Sequence, residues 1–288
     1  MIQTIAVIGT GVMGQGIAYV SAIGGFQTIM VDVSNEVVKR AEQNIRSLME
    51  QSVQKGFLQE EQASEAKNRL HVASSIEQGI SEADVVIEAV PEKMALKKSV
   101  FEQIDRYAKP TCYVATNTST MSPTEIASFT SRPDRVIAMH FFNPVHKMKL
   151  VEMIRGLETS DDTTAVIEQV AKKMGKETVV VNEFPGFVTS RMSALVGNEA
   201  FCMLQEGVGT PEEIDTAIKL GLNYPMGPFE LVDLVGLDVR LNNLNYLYET
   251  LGEKYRPAPL LIKYVKAGRL GKKTGKGVYE YDEFGQRK

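Results

Sequence analysis

Residues 137–154 read IAMHFFNPVHKMKLVEMI, and this stretch sets an imidazole and a carboxylate where strand spacing calls for apolar side chains. If 136–140 is a strand, Val136, Ala138 and His140 share one face; if 150–154 is another, Leu150, Glu152 and Ile154 share one. A buried glutamate without a partner is costly, so the cheapest arrangement lets His140 and Glu152 satisfy each other. A carboxylate that holds an imidazole in one tautomer is also the equipment of a general acid/base. Two readings stand on these residues alone: a satisfied core histidine with Glu152 turned to water on an edge strand, or a catalytic pair.

A second constellation supplies such a pair with something to act beside. Gly9, Thr10, Gly11, Val12, Met13 and Gly14 form GxGxxG directly after the strand IAVI and directly before a helical run at 15–22. In that context the first glycine permits a tight turn, the second lets the backbone approach a pyrophosphate, and the third lets helix pack on strand. The helix N-terminus then offers free N–H groups to the anion. Eighteen residues past Gly14, Asp32 ends the second strand, where an acid accepts hydrogen bonds from ribose hydroxyls and repels a 2′-phosphate. No arginine stands at Val33, Ser34 or Asn35, so the expected cofactor is NAD and not NADP.

Other polar residues fall at strand ends: Glu92 after 84–90, Asn117, Thr118 and Ser119 after 113–116, and His140 with Asn143 after the strand that opens at Arg135. Each alone reads equally as a turn or cap residue. Open parallel sheets bind ligands beyond the carboxyl ends of their strands, so the three groups are expected to converge on one crevice. Lys55, at the end of the long second helix, and Lys272, Lys273 and Lys276, in the glycine-broken tail GRLGKKTGKGVYEY, are cations that a phosphate-rich ligand could use.

The elements that must position these groups alternate. Runs at 5–8, 28–33, 84–90, 113–116, 135–140, 149–154 and 178–181 read as strands, with helical patterns at 36–55, 93–107 and 162–174 between them. Ser122, Pro123 and Glu125 mark the start of one further short helix. This order predicts an α/β fold, a Rossmann-type, mostly parallel sheet covered on both faces over residues 1–184. After Pro185 and Gly186 strand signals stop, and 187–205, 211–220, 228–250 and 259–265 carry helical spacing, so an all-helical C-terminal domain is expected over 185–288. Its Leu, Met, Tyr and Phe content exceeds what a domain of about 100 residues hides alone, which points to a homodimer.

Composition narrows the function class. Of 288 residues, 43% are hydrophobic and 24% charged, with a formal net charge of −4 and no single-sign block, which argues against disorder and against a nucleic-acid partner. The first strand begins at once, without a secretory leader pattern, and no apolar run approaches the roughly 18 residues of a membrane span, so a cytoplasmic protein is expected. Two distant cysteines and three unclustered histidines suggest neither a disulfide framework nor a metal site.

Taken together, GTGVMG, VIEAVPE, NTST, HFFNPVHKMKLVE, PGFVTSR, GLNYPMGPFELVDLVGLD and GKKTGKGVYEY resemble, over essentially the whole chain, the short-chain L-3-hydroxyacyl-CoA dehydrogenases, most of all the bacterial enzymes acting on 3-hydroxybutyryl-CoA. The resemblance, not the periodicity, implies an acyl-CoA substrate and oxidation of an (S)-3-hydroxyacyl-CoA to a 3-ketoacyl-CoA. It implies that His140 is the acid/base and Glu152 its orienting carboxylate. Ser119 and Asn143 match residues that contact substrate oxygens near the nicotinamide; Glu92, Lys97 and Lys273 match NAD contacts; Lys55 matches a lysine that contacts coenzyme A. The family's helical domain forms its dimer interface.

This chain departs from that pattern at Ser190, where relatives usually carry an asparagine near the substrate, and at Leu48, where relatives carry a serine that helps bind coenzyme A, unless neighbouring Ser47 substitutes. A shorter hydroxyl cannot span the gap an asparagine spans, which bears on acyl preference more than on chemistry. Two alternatives are carried with this reading: a dehydrogenase of free hydroxy acids, like a gulonate-oxidising relative, and a dinucleotide-binding protein without turnover.

Overall fold

The first strand, β1 (Thr4–Ile8), is followed in sequence by a helix and flanked in space by other strands. Its side chains alternate between two apolar layers: Ile5 and Val7 join one, Ala6 and Ile8 the other. That alternation is the pleat of a strand covered on both faces. The computed structural model, which describes residues 2–288, continues with β2 (Gln27–Val31), β3 (Leu70–Val72), β4 (Val85–Glu88), β5 (Tyr113–Thr116), β6 (Val136–Phe141), β7 (Leu150–Arg155) and β8 (Glu177–Asn182). They form one eight-stranded sheet in the order β3-β2-β1-β4-β5-β6-β7-β8. Neighbours run parallel except β6 and β7, which are antiparallel.

Helices cover both faces. One layer holds α1 (Val12–Ile23), α2 (Asn35–Gln54), α3 (Glu60–Asn68) and α7 (Asp161–Lys173); the other holds α4 (Ile76–Ile80), α5 (Met94–Tyr107) and α6 (Pro123–Ala127). The second helix shows the local logic. Ser34 accepts a hydrogen bond from the Val37 N–H at the N-terminus, and Val38, Ala41, Ile45 and Met49 recur at three- and four-residue steps to form its buried stripe.

Three elements of this unit, α3, β3 and α4, carry little sequence signal. Only Ala63 and Ala66 are buried in α3, and β3 is a three-residue edge strand with only Leu70 buried. Neither presents the apolar periodicity from which elements are read.

The chain divides into two compact units, the first ending at Phe184 and the second beginning at Pro185. The second unit is built from α8 (Thr189–Glu206), α9 (Pro211–Gly221), α10 (Pro228–Val235), α11 (Leu237–Leu251) and α12 (Pro259–Lys266). Phe201, Phe229, Leu244, Leu247, Tyr255 and Leu261 are fully buried in its core. The single helix expected over 228–250 is two helices. They break at Gly236, whose φ of +106° suits glycine and whose added Cβ would come within 2.9 Å of Asp238 Oδ1.

Two buried carboxylates tie the glycine-rich tail onto these helices. Asp233 accepts from the Val278 and Tyr279 N–H groups at 2.8 and 2.9 Å and from the Tyr281 hydroxyl at 2.8 Å. Asp215 accepts from the Phe229 and Glu230 N–H groups and from the Tyr279 hydroxyl. Burial holds both carboxyls above the usual aspartate value. Much of the motif content of the C-terminal half is therefore architectural. Asp233→Ala orphans three buried donors and should lower unfolding free energy by about 3 kcal/mol in denaturant titration; a loss under about 1 kcal/mol would show that the tail is held by other contacts.

Candidate active site

Parallel strands bring their carboxyl ends to one edge. Ile8 lies opposite both Val31 and Glu88, Glu88 opposite Thr116, and Thr116 opposite Ala138. Whatever follows these positions in sequence therefore emerges together. Gly9 follows β1 with φ +92°, and a Cβ there would lie 2.7 Å from the Ala89 carbonyl; a Cβ on Gly14 would lie 1.7 Å from the Gly9 carbonyl. Those two glycines are demanded by packing. Around Gly11, by contrast, a Cβ would meet nothing within 4 Å.

Gly11 also caps α1 without a side-chain hydrogen bond, so the helix N-terminus faces an open cradle able to take a pyrophosphate. Asp32, at the end of β2, accepts from Thr10 N at 2.5 Å, from Thr10 Oγ1 at 2.8 Å and from Val33 N at 2.7 Å. It thus fixes the loop as well as standing where a ribose would be met. Gln15 donates back to the Thr10 carbonyl and braces the turn from the helix side. An open glycine, an uncapped helix and a strand-end carboxylate together fit NAD.

The imidazole and the carboxylate meet across the one antiparallel junction among the described strands. His140 on β6 and Glu152 on β7 are direct register partners, and Nδ1 of the imidazole lies 2.7 Å from Glu152 Oε2. Glu152 is wholly buried and His140 is 7% exposed. A carboxylate can only accept, so Nδ1–H donates to Glu152, and in the neutral ring Nε2 then holds the lone pair. The ring of Phe142 packs at 4.6 Å between centroids and limits how the imidazole can turn.

A second buried carboxylate orders the neighbouring strand ends, and the sequence reading passed over it. Glu88 closes β4, is fully buried, and takes the Lys97 ammonium at 2.8 and 3.0 Å together with the Thr116 hydroxyl at 2.6 Å and the Val90 N–H at 2.7 Å. Lys97 is 1% exposed and also reaches Glu92 at 3.2 Å. Glu92 in turn accepts from Thr118 Oγ1 and Ser119 N, each at 2.7 Å, and from Ser119 Oγ at 3.3 Å. The chain of contacts Glu88, Lys97, Glu92, Ser119 sets the loop after β5 from beneath. A signal for Glu88 was present in VVIEAV, an acid inside an apolar strand run, the same signature that marked Glu152.

The loop after β6 is held differently. Asn117 Oδ1 accepts from Phe141 N at 3.0 Å, linking the ends of β5 and β6. Farther along, the buried ammonium of Lys176 donates to the carbonyls of Val145 and Met148, and burial pushes it below the ordinary lysine value. Asn143 sits on this pinned loop, exposed, its carboxamide bonded to nothing among the described residues. Lys176 carried no signal in sequence, since its partners are backbone carbonyls some 30 residues away.

The remaining expected residues lie apart from this edge or on the other unit. Lys55 is the exposed C-cap of α2 and pairs with no carboxylate among the described residues. Lys273 belongs to the helical unit, where its ammonium is bound to both Asp238 oxygens at 2.6 and 2.7 Å. Ser190 is the second residue of α8 and is half-buried.

Gly11 and Gly14 can be separated by experiment. Gly11→Ala should change stability by no more than about 1 kcal/mol yet weaken NADH binding at least tenfold by fluorescence titration. Gly14→Ala should lower the melting temperature sharply. Unaltered NADH affinity in Gly11→Ala would remove the cradle from the cofactor's path.

The family model for the NAD-binding domain of 3-hydroxyacyl-CoA dehydrogenase matches residues 4–184, and the model for that enzyme's C-terminal domain matches residues 186–281. The chain is 47% identical to a probable 3-hydroxybutyryl-CoA dehydrogenase of Bacillus subtilis over 98% of both chains. It is 42% identical to a 3-hydroxybutyryl-CoA dehydrogenase of Bradyrhizobium diazoefficiens, over 98% of this chain and 96% of the relative. The crystal structure of (S)-3-hydroxybutyryl-CoA dehydrogenase from Ralstonia eutropha superposes with a TM-score of 0.95 at 43% identity, over 98% of this chain and 100% of that one. With both domains matched in order and a glycine cradle that fits NAD, the chain belongs to the 3-hydroxyacyl-CoA dehydrogenase family.

Proposed function

We propose that the protein catalyses the reversible, NAD-dependent oxidation of (S)-3-hydroxyacyl-CoA to 3-ketoacyl-CoA, with 3-hydroxybutyryl-CoA as the short-chain substrate. The observation that carries this reading is the buried hydrogen bond between His140 Nδ1 and Glu152, set at the same sheet edge as the glycine cradle. Bound NAD supplies the acceptor for a hydride from C3. His140 Nε2 takes the hydroxyl proton, and in the reverse direction returns it. Glu152 holds the tautomer that leaves Nε2 basic and offsets the positive charge the ring acquires.

Ser119 and Asn143 orient the hydroxyl and thioester oxygens, a contribution made by positioning. Ser119 is fit for this because Glu92 fixes its backbone, and Lys97 serves by holding Glu92 between itself and the loop. Lys273 is assigned to a cofactor contact, and Lys55, which pairs with no carboxylate among the described residues, to an anionic group of coenzyme A. Exposed apolar side chains on the helical unit, Leu220 at 80%, Leu222 at 60% and Leu234 at 51%, support a homodimer through that unit. No helix among the described residues is long and apolar enough to cross a membrane, and the two cysteines are free, in keeping with a cytoplasmic enzyme.

His140→Gln keeps a donor for Glu152, so the fold should survive while kcat for acetoacetyl-CoA reduction falls by about 10²–10⁴ and NADH affinity stays within twofold. Near-normal turnover would sink the assignment. Following NADH oxidation with acetoacetyl-CoA, with longer 3-ketoacyl-CoA esters and with free acetoacetate separates the substrate classes: activity confined to the free acid would favour a hydroxy-acid dehydrogenase instead. Ser190→Asn should alter the ratio of kcat/KM between short and longer esters and leave NADH affinity alone; an unchanged ratio would remove Ser190 from the acyl site.

A further inference from the structure

Arg240 lies in the first turn of α11 and is 3% exposed. Its one hydrogen bond among the described residues runs from Nη2 to Ser193 Oγ at 2.7 Å. Its Nε–H is buried without any partner, and no carboxylate pairs with it among the described residues. A guanidinium presents five donors in a rigid fork shaped for carboxylate, and burying one without an anion opposes folding. Burial alone brings it down to about 10. Among the described residues no other charge is so enclosed and so incompletely answered: the comparably buried Lys97 has two glutamates and Lys176 two carbonyls.

The guanidinium lies against a pocket of about 250 Å³ within the helical unit. Met192 and Val196 of α8, Met226 before α10, and Leu231 of α10 give it mostly apolar walls. Gly197 keeps the space beside the charge open: a Cβ there would stand 2.9 Å from Val232 Cγ2 and 3.5 Å from Arg240 Nε. A volume of that order admits a short carbon chain such as that of a six-carbon monocarboxylate.

We propose that this pocket is a binding site for a small amphipathic carboxylate, its oxygens on the Arg240 fork and its carbon chain along Met192, Val196 and Leu231. One fork and apolar walls suit a planar monoanion. A phosphate dianion would call for a second cation, and Arg240 is the one cationic side chain among the residues that line the pocket. The charge sits below the surface, so a second copy of the chain reaches it only by inserting a side chain, which the test below distinguishes.

Calorimetric titration of the whole protein with sodium hexanoate should give saturable binding, and hexanol, of the same shape without the charge, should give none. Arg240→Met should weaken hexanoate by about 10- to 100-fold, and in the absence of ligand it should melt at a higher temperature than the wild type because an unanswered buried charge is gone. The wild-type melting temperature should climb with hexanoate concentration. The proposal is overturned if hexanoate produces no saturable heat, if hexanol binds as well, or if Arg240→Met converts dimers to monomers in light scattering, which would assign the guanidinium to a partner copy. Should Arg240→Met fail to fold, the comparison of hexanoate with hexanol on the wild type still decides.

Discussion

A carboxylate with no exposed surface in the middle of a sheet has to be answered, and Glu152 is answered by His140. Removing one member of such a buried pair costs on the order of 3–5 kcal/mol, a large share of the stability of any domain. The answer depends on register. Among the described strands β6 and β7 are the only antiparallel neighbours, and only in an antiparallel pair do residues 140 and 152 stand face to face across a short connection. A slip of one residue would turn the imidazole to the opposite face and leave the acid buried alone. The same bond that removes this penalty also selects the ring tautomer, so under the proposed function stability and acid/base competence are one requirement.

The molecule uses the device repeatedly. Glu88 with Lys97 closes the end of β4 and, through Glu92, sets the backbone at Ser119. Asp215 and Asp233 do the same for the helical unit, converting a tail too rich in glycine to order itself into a fixed edge of that unit. In each case the buried acid is more than locally satisfied: it joins segments distant in sequence. Arg240 is the exception that defines the pattern, an enclosed charge whose hydrogen-bonding capacity is mostly unused.

Most of the sheet was legible because its strands are short β-branched runs between amphipathic helices, and the glycine loop because its spacing is fixed by sterics that Gly9 and Gly14 display directly. The His140 and Glu152 contact was legible for an energetic reason: two polar residues at apolar positions of adjacent strands have few other ways to be satisfied. Lys176 was not, since its partners are carbonyls that no side-chain pattern records. The helix break at Gly236 was hidden because the flanking residues keep helical spacing through it, and α3 because a charged helix with two buried alanines has no stripe. Asp32 also binds its own loop through Thr10, a contact that its place at a strand end does not reveal.

If Glu152 acts on turnover through the imidazole, its effect should vanish when the imidazole is gone. A double-mutant cycle on kcat, comparing Glu152→Gln in the wild type and in His140→Gln, reads that dependence directly. The expected result is a large loss in the wild-type background and a loss of less than about threefold in the His140→Gln background. Equal losses in both backgrounds would contradict the coupling and leave Glu152 a structural acid only.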